Sequence, residues 1–337
     1  MGKVTMQSIA DALGISRVTV WKVFNNQKGV SDSLRNQVIS KAQELGYSIS
    51  PEVSLQKNDI KNIALVVSRP DSSTFWTSII HSIARELSYN DMNLLYTYVP
   101  SEYVPGYTLP GVLTDSKIDA IIVINIYDNH IYNMINNLPI PKVFLDCTSR
   151  YDLNNLNGDL FLIEGYDSEY VITKSLIDQK LGTIGFLGDI EYAKTNLDRY
   201  KGYKKCMDDF GLKIIPKYIH TSRIGINSYY EEITDYLDSL DKMPGAFVCV
   251  SDFMIHFVMN YFADHPKKMP SKLLLTGFDG TGEYANVDQR FTTAYVNTDM
   301  LGKRMAAQIF YRLKFESAPY EIIYIKPQII FRSSNVN

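Results

Sequence analysis

The chain has 337 residues, is 45% hydrophobic and 21% charged, and carries a formal net charge of −3. That length supports two or three packed units, no stretch reaches the eighteen or more apolar residues of a membrane helix, and the N-terminal MGKVTMQSIADAL has no apolar run of secretory length, so a cytoplasmic protein is expected. The charge is uneven: residues 1–61 hold eight Lys or Arg against five Asp or Glu, net +3, and the remainder is −6, the pattern of a chain whose one end meets a polyanion.

Met6, Ile9, Ala10 and Leu13 form an i, i+3, i+4, i+7 stripe, which predicts a first helix with Thr5 as its N-cap and Gly14 ending it. The next stretch, LGISRVTVWKVFN (13–25), is ambiguous by composition, because the β-branched Val18, Thr19, Val20 and Val23 favour a strand. Val20, Val23 and Phe24 nevertheless share one helical face. Burying them returns roughly 1.5–3 kcal/mol each, against a propensity cost of about 2 kcal/mol for the four β-branched residues. The stretch is therefore read as a short helix capped by Ser16, with Arg17, Val18, Trp21 and Lys22 turned outward. A third helix starts at Ser31 and carries Leu34, Val38, Ala42 and Leu45 before Gly46. Three short helices with a tight turn between the first two make a helix-turn-helix unit.

Residues 48–61, SISPEVSLQKNDIK, are polar, have no stripe and read as a linker. From Ile63 onward, apolar runs such as IALVVS, DAIIVINI, KVFLDC, TIGFLG, GAFVCVSD and KLLLTGFD alternate with helical stretches. Such runs are the signature of parallel sheets covered on both faces, and their number predicts two α/β lobes. Ligands of open α/β sheets bind at the carboxyl ends of strands. Asp146, Asp252 and Asp279 lie at such ends, Arg199 follows the TIGFLG run, and Phe75 and Trp76 follow the first strand. Three carboxylates and a guanidinium suit a polyhydroxylated ligand whose apolar ring face the aromatics would cover. The alternative reading is that each acid caps a helix or forms a salt bridge within its lobe.

Catalytic chemistry has no comparable signature. There is no G-x-x-x-x-G-K-[ST], H-E-x-x-H or G-x-S-x-G, and His81, His130, His220, His256 and His265 lack ligand spacing. Cys147, Cys206 and Cys249 suggest neither a disulfide framework nor a zinc knuckle. No enzyme, metal or cofactor is expected.

The segment VTMQSIADALGISRVTVWKVFNNQKGVSDSLRNQVISKAQELGY, with LDRYKGYKKCMDDFGL, SKLLLTGFDG, RFTTAYVNTDMLGKRMAAQIF and PQIIFRSSN further on, resembles the lactose/galactose-repressor (LacI/GalR) family of transcription regulators along nearly the whole chain. The resemblance implies a helix-turn-helix head over 1–47, a hinge over 48–61 and a two-lobed, periplasmic-binding-protein-like body with parallel sheets over 62–337. Lobe 1 is placed at about 62–160 and 290–320, lobe 2 at about 161–289 and 321–337. It further implies a homodimer that reads double-stranded DNA at a near-palindromic operator, a repressor in the first reading, controlled by a small molecule between the lobes. A sugar or sugar derivative is the first choice of effector. A nucleoside or purine, a protein partner, or a sugar-binding protein without regulatory role are the alternatives.

Arg17, Val18 and Lys22 stand where the family contacts bases. Arg17 can pair with guanine, and Val18 offers an apolar surface matched to a thymine methyl. Thr5, Ser16, Thr19, Asn25 and Ser31, with the amides at helix starts, are candidates for phosphate. Trp21 departs from the family's small residue and would either lie on the sugar-phosphate backbone or cover the third helix. The linker departs from the family's hinge, with Leu55 one place from the usual register of a minor-groove wedge. Phe75, Trp76, Asp146, Arg199, Asp252 and Asp279 match effector positions, whereas Ser251 and Val296 replace an Asn and a polar residue there.

Overall fold

Three helices, α1 (Met6–Leu13), α2 (Arg17–Phe24) and α3 (Asp32–Glu44), build the first of two units, which divide the chain between Ile60 and Lys61. The structure, a computed structural model, describes residues 4–25, 27, 29–47, 60–68, 73–115, 117–225 and 228–336. Most of the expected linker, Leu55 included, lies outside these residues.

In the head, Thr5 and Ser8 form a reciprocal capping box on α1. Gly14 then takes a left-handed φ of 66°, the conformation that lets the chain turn at once into α2. The strand-like stretch is helical because its apolar face has a core to enter. Val20, Val23 and Phe24 are buried with Ile9, Ala10, Val38, Ile39 and Ala42. Arg35 on α3 is also buried, and its guanidinium donates to the carbonyls of Val23 and Gln27, each at 3.1 Å, fixing the chain that leaves α2.

The body runs β1 (Asn62–Val67), α4 (Thr74–Tyr89), β2 (Asn93–Tyr98), β3 (Ala120–Ile124), α5 (Asn129–Asn136), β4 (Lys142–Leu145) and β5 (Asp159–Ile163). It continues with α6 (Tyr166–Ile177), β6 (Ile184–Leu187), α7 (Lys194–Asp209), β7 (Ile219–His220), α8 (Tyr229–Asp238), β8 (Ala246–Cys249), α9 (Asp252–Asp264), β9 (Leu274–Asp279) and β10 (Thr292–Tyr295). It ends with α10 (Thr298–Lys314), β11 (Ile322–Ile325) and β12 (Gln328–Ile330). The first sheet has the order β11-β5-β4-β3-β1-β2 and is parallel throughout. The second, β12-β10-β9-β8-β6-β7, is parallel except for the antiparallel edge strand β12.

Each sheet is buried on both faces, which is why its central strands read as unbroken apolar runs. Helices α6 and α7 pack at backbone distance: a Cβ on Gly202 would stand 2.1 Å from the carbonyl oxygen of Tyr166, so only glycine fits.

The chain passes between sheets three times, after β5, β10 and β11, and these points differ from the expected lobe bounds. Strand β5 reaches Ile163 in the first sheet. Strand β10, expected in lobe 1, pairs with β9 in the second sheet, and β11, expected in lobe 2, pairs with β5 in the first. A short β-branched run carries no label for its sheet; tertiary contacts decide. For β11 the contact is a buried ion pair. Arg312 on α10 grips Asp159 of β5 through Nε at 3.0 Å and through Nη2, and donates to the carbonyls of Ala318 and Pro319 just before β11.

Candidate DNA-reading face and ligand cleft

Helix α2 presents its outer side to solvent. Ser16 caps it, accepting from Thr19 N at 3.0 Å while sharing a hydrogen bond with the Thr19 hydroxyl at 2.8 Å. Arg17, Val18, Trp21 and Asn25 are exposed and Lys22 is half-buried. Trp21 is 47% exposed and is not among the described residues of the head's core. Asn25 closes the helix through its side-chain amide, which donates to the Trp21 carbonyl at 2.9 Å. Ser31 caps α3, accepting from Leu34 N at 3.3 Å. Thr5, Ser16 and Ser31 thus stand at three helix starts, where free amides attract anions.

In the body, a cleft of about 770 Å³ opens between the two sheets, lined by all six expected residues, Phe75, Trp76, Asp146, Arg199, Asp252 and Asp279. Phe75 and Trp76 stand edge to face, 5.1 Å apart, in the first turn of α4. Three strand ends on this cleft carry left-handed backbone at non-glycine residues: Asn125 (φ 59°), Asp146 (φ 64°) and Asp279 (φ 99°). Such conformations cost of order 1–3 kcal/mol each and persist where the surroundings over-determine them.

The acids differ in what they have left to offer. Asp146 accepts from Cys147 N at 2.8 Å and from the Thr195 hydroxyl. Asp252 accepts from the Thr293 hydroxyl at 2.9 Å and Gly280 N at 2.8 Å, so it works as a strut between α9, β10 and the loop after β9. Burial pushes Asp146 up to about 6 against the Thr195 hydrogen bond, and pushes Asp252 up to about 7 with help from the charge of Asp279. The Asp279 carboxylate accepts no protein hydrogen bond among the described residues and meets Arg199 Nη2 at 3.6 Å. Its pKa is also raised by burial, with Arg199 opposing.

Arg199 lies 3.6 Å over the Phe278 ring and donates to the Val250 carbonyl at 2.6 Å, so its guanidinium is held in place before any ligand arrives. Behind it, Glu169 on α6 is fully buried with neither oxygen hydrogen-bonded among the described residues. Burial pushes Glu169 up to about 8, with the Arg199 charge opposing.

Val296 lies in the apolar core beside the first sheet and does not line the cleft, and Ser251 caps α9. Sequence reasoning missed several walls. Tyr127, Tyr192, Tyr229 and Tyr284 reach the cleft from loops and helices without a shared motif. Asp189 and Asn125 could have been found, since each lies just beyond a strand end. Glu283 was also missed. Helix α4 has no cap of its own, and the Glu283 carboxylate supplies one from the other lobe, accepting from Thr74 N at 3.0 Å, the Thr74 hydroxyl at 2.9 Å and the Ser73 hydroxyl at 3.3 Å. Arg223 and Glu102 pair across the same mouth at 2.6 Å.

A capped helix-turn-helix unit joined to a two-lobed α/β body with an interlobe cleft defines the class of DNA-binding regulators built on a periplasmic-binding-protein-like body. The comparisons agree. Residues 5–50 match the profile described as bacterial regulatory proteins, lacI family, and residues 173–335 match the periplasmic binding protein-like domain. The chain thus carries a lacI-family helix-turn-helix domain followed by a periplasmic-binding-protein-like domain. It is 26% identical to the HTH-type transcriptional repressor PurR of Histophilus somni (strain 2336) and 24% identical to that of Pasteurella multocida (strain Pm70), in each case over 98% of both chains. Its fold is similar to that of the transcriptional regulator CelR in complex with cellobiose (TM-score 0.67, 18% identity, 98% of this chain and 99% of that one). It is equally similar to the Lac repressor dimer bound to operator and the anti-inducer ONPF (TM-score 0.67, 16% identity, 99% of both).

Proposed function

We propose that the protein is a homodimeric repressor without catalytic activity, acting on DNA in the cytoplasm, whose two heads read the halves of a near-palindromic operator and whose affinity is set by an effector in the interlobe cleft. Arg17, Val18 and Lys22 are assigned to base edges. Thr5, Ser16, Thr19, Asn25 and Ser31 are assigned to phosphates, and Leu55 to the hinge. The effector proposed is a neutral sugar or sugar derivative. One observation carries this choice: Asp279, with spare lone pairs, and the immobilised Arg199 share one cleft with the aromatic pair Phe75 and Trp76. Six carboxylates and two guanidiniums line that cleft among the described residues, which disfavours a phosphorylated ligand.

The tyrosine-rich walls, together with relatives named for purine repression, favour a second reading, a nucleoside or purine base stacked between rings. A thermal-shift screen of free sugars, sugar phosphates and nucleosides separates the two, since a ligand at 100 times its Kd adds about 2.7 kcal/mol. Asp279→Ala should abolish the shift while leaving operator binding intact. If operator binding is lost as well, Asp279 is a structural residue.

A further inference from the structure

Among the described residues, the Trp21 indole is not part of the head's core. With 100° per residue, the exposed side of α2 runs Arg17, Trp21, Asn25, Val18, Lys22 across an arc of about 140°. The two basic residues take its edges; its middle holds the apolar Val18 and Trp21, 61% and 47% exposed, with the exposed Asn25 between them in angle but at the helix's far end, a turn beyond Trp21. Side chains on a helix lean toward its N-terminus, so an indole one turn after Arg17 covers the turn that carries Arg17 and Val18. That turn is the one a recognition helix inserts most deeply. The floor of the major groove offers donors, acceptors and a single apolar feature, the 5-methyl of thymine. Cations at the flanks and an apolar centre match a groove lined by phosphates with a methyl on its floor.

Resting on the DNA-binding reading above, we propose that Trp21 is a base reader. With Val18 it forms an apolar notch that receives the 5-methyl of a thymine beside the base pair met by Arg17, so each half-site carries a thymine preference there.

The test uses the full-length protein. Binding sites are selected from a random duplex library, and each thymine of the selected site is then replaced by uracil, which removes only the methyl. At one position in each half-site the replacement should weaken binding about fourfold, the value of one buried methyl-sized group. In Trp21→Ser, which should melt like the wild type because the indole lies outside the core, that loss should fall below twofold. Trp21→Phe should keep most of it. A fourfold loss that persists in Trp21→Ser, or no sensitivity to uracil in the wild type, overturns the proposal. So does a Trp21→Ser variant that weakens binding equally on all sequences and flattens the salt dependence, which would make the indole a backbone contact. If no sequence is enriched at all, the DNA-binding reading itself fails, and this inference with it.

Discussion

Replacing Arg312 by methionine removes one partner of an ion pair whose members are 1% and 0% exposed. Four donations are lost: two to Asp159 and two to the carbonyls of Ala318 and Pro319. Asp159 retains Gln308 Nε2 at 2.9 Å and Glu321 N at 2.8 Å, but no counter-charge in direct contact. Breaking a buried pair on one side costs about 3–5 kcal/mol, because a desolvated charge is left behind. For a body of this size, that is a fall in melting temperature of about 6–10 °C. Differential scanning calorimetry of Arg312→Met gives the number, and Asp159→Asn/Arg312→Met gives the control. In the double variant no charge is stranded, and Gln308 can turn its amide to accept from the new one, so most of the loss should return. A single variant that melts within 1 °C of the wild type would refute the assignment of β11's anchorage to this pair. A double variant less stable than the single one would do the same.

Glu169 offers a pH test. Its folded pKa, about 8, lies above the ordinary glutamate value of 4.5, so the folded state holds the extra proton. The associated stability is fully present below about pH 4.5 and is lost as pH rises through 8. Glu169→Gln should therefore gain on the wild type by up to about 1.4 kcal/mol per pH unit between pH 5 and 8; parallel melting curves across that range would show the carboxyl to be ionised already. Glu283→Ala removes the cap that one lobe places on α4 of the other, which costs about 1 kcal/mol and should widen the cleft. Small-angle scattering of ligand-free protein would read this as a larger radius of gyration, and an unchanged profile with an unchanged melt would dismiss the clasp. Arg17→Ala should relax preference at one operator position, costing about 1–3 kcal/mol for the correct base. A uniform loss on all sequences would reassign the residue to phosphate.

The head was readable because its helices are amphipathic and their ends carry polar caps: the stripe of Met6, Ile9, Ala10 and Leu13 and the face of Val20, Val23 and Phe24 needed only a period of 3.6. The body's strands were readable as runs, but not their sheets. Thr292–Tyr295 and Ile322–Ile325 are both four-residue strands, and contacts as remote in sequence as Arg312–Asp159, across 153 residues, hold β11 in the first lobe. Asp146, Asp252 and Asp279 came from the strand-end rule. The cleft's tyrosines did not, because Tyr127, Tyr192, Tyr229 and Tyr284 sit at unrelated offsets and converge only after folding. Glu283 was invisible for a similar reason: the uncapped helix that explains it lies more than 200 residues away.

The late return of the chain to both sheets also sets the order in which the molecule can be made. Helices α1 to α3 have all been synthesised by residue 47. The first sheet waits for β11 and the second for β12, within the last sixteen residues. At roughly 5–20 residues per second, about 15–60 s separate the two events. During that interval the nascent body carries two unfinished sheets with strand edges open to other chains. A translation product halted near residue 315 would possess the complete DNA-binding head on a body unable to close either lobe.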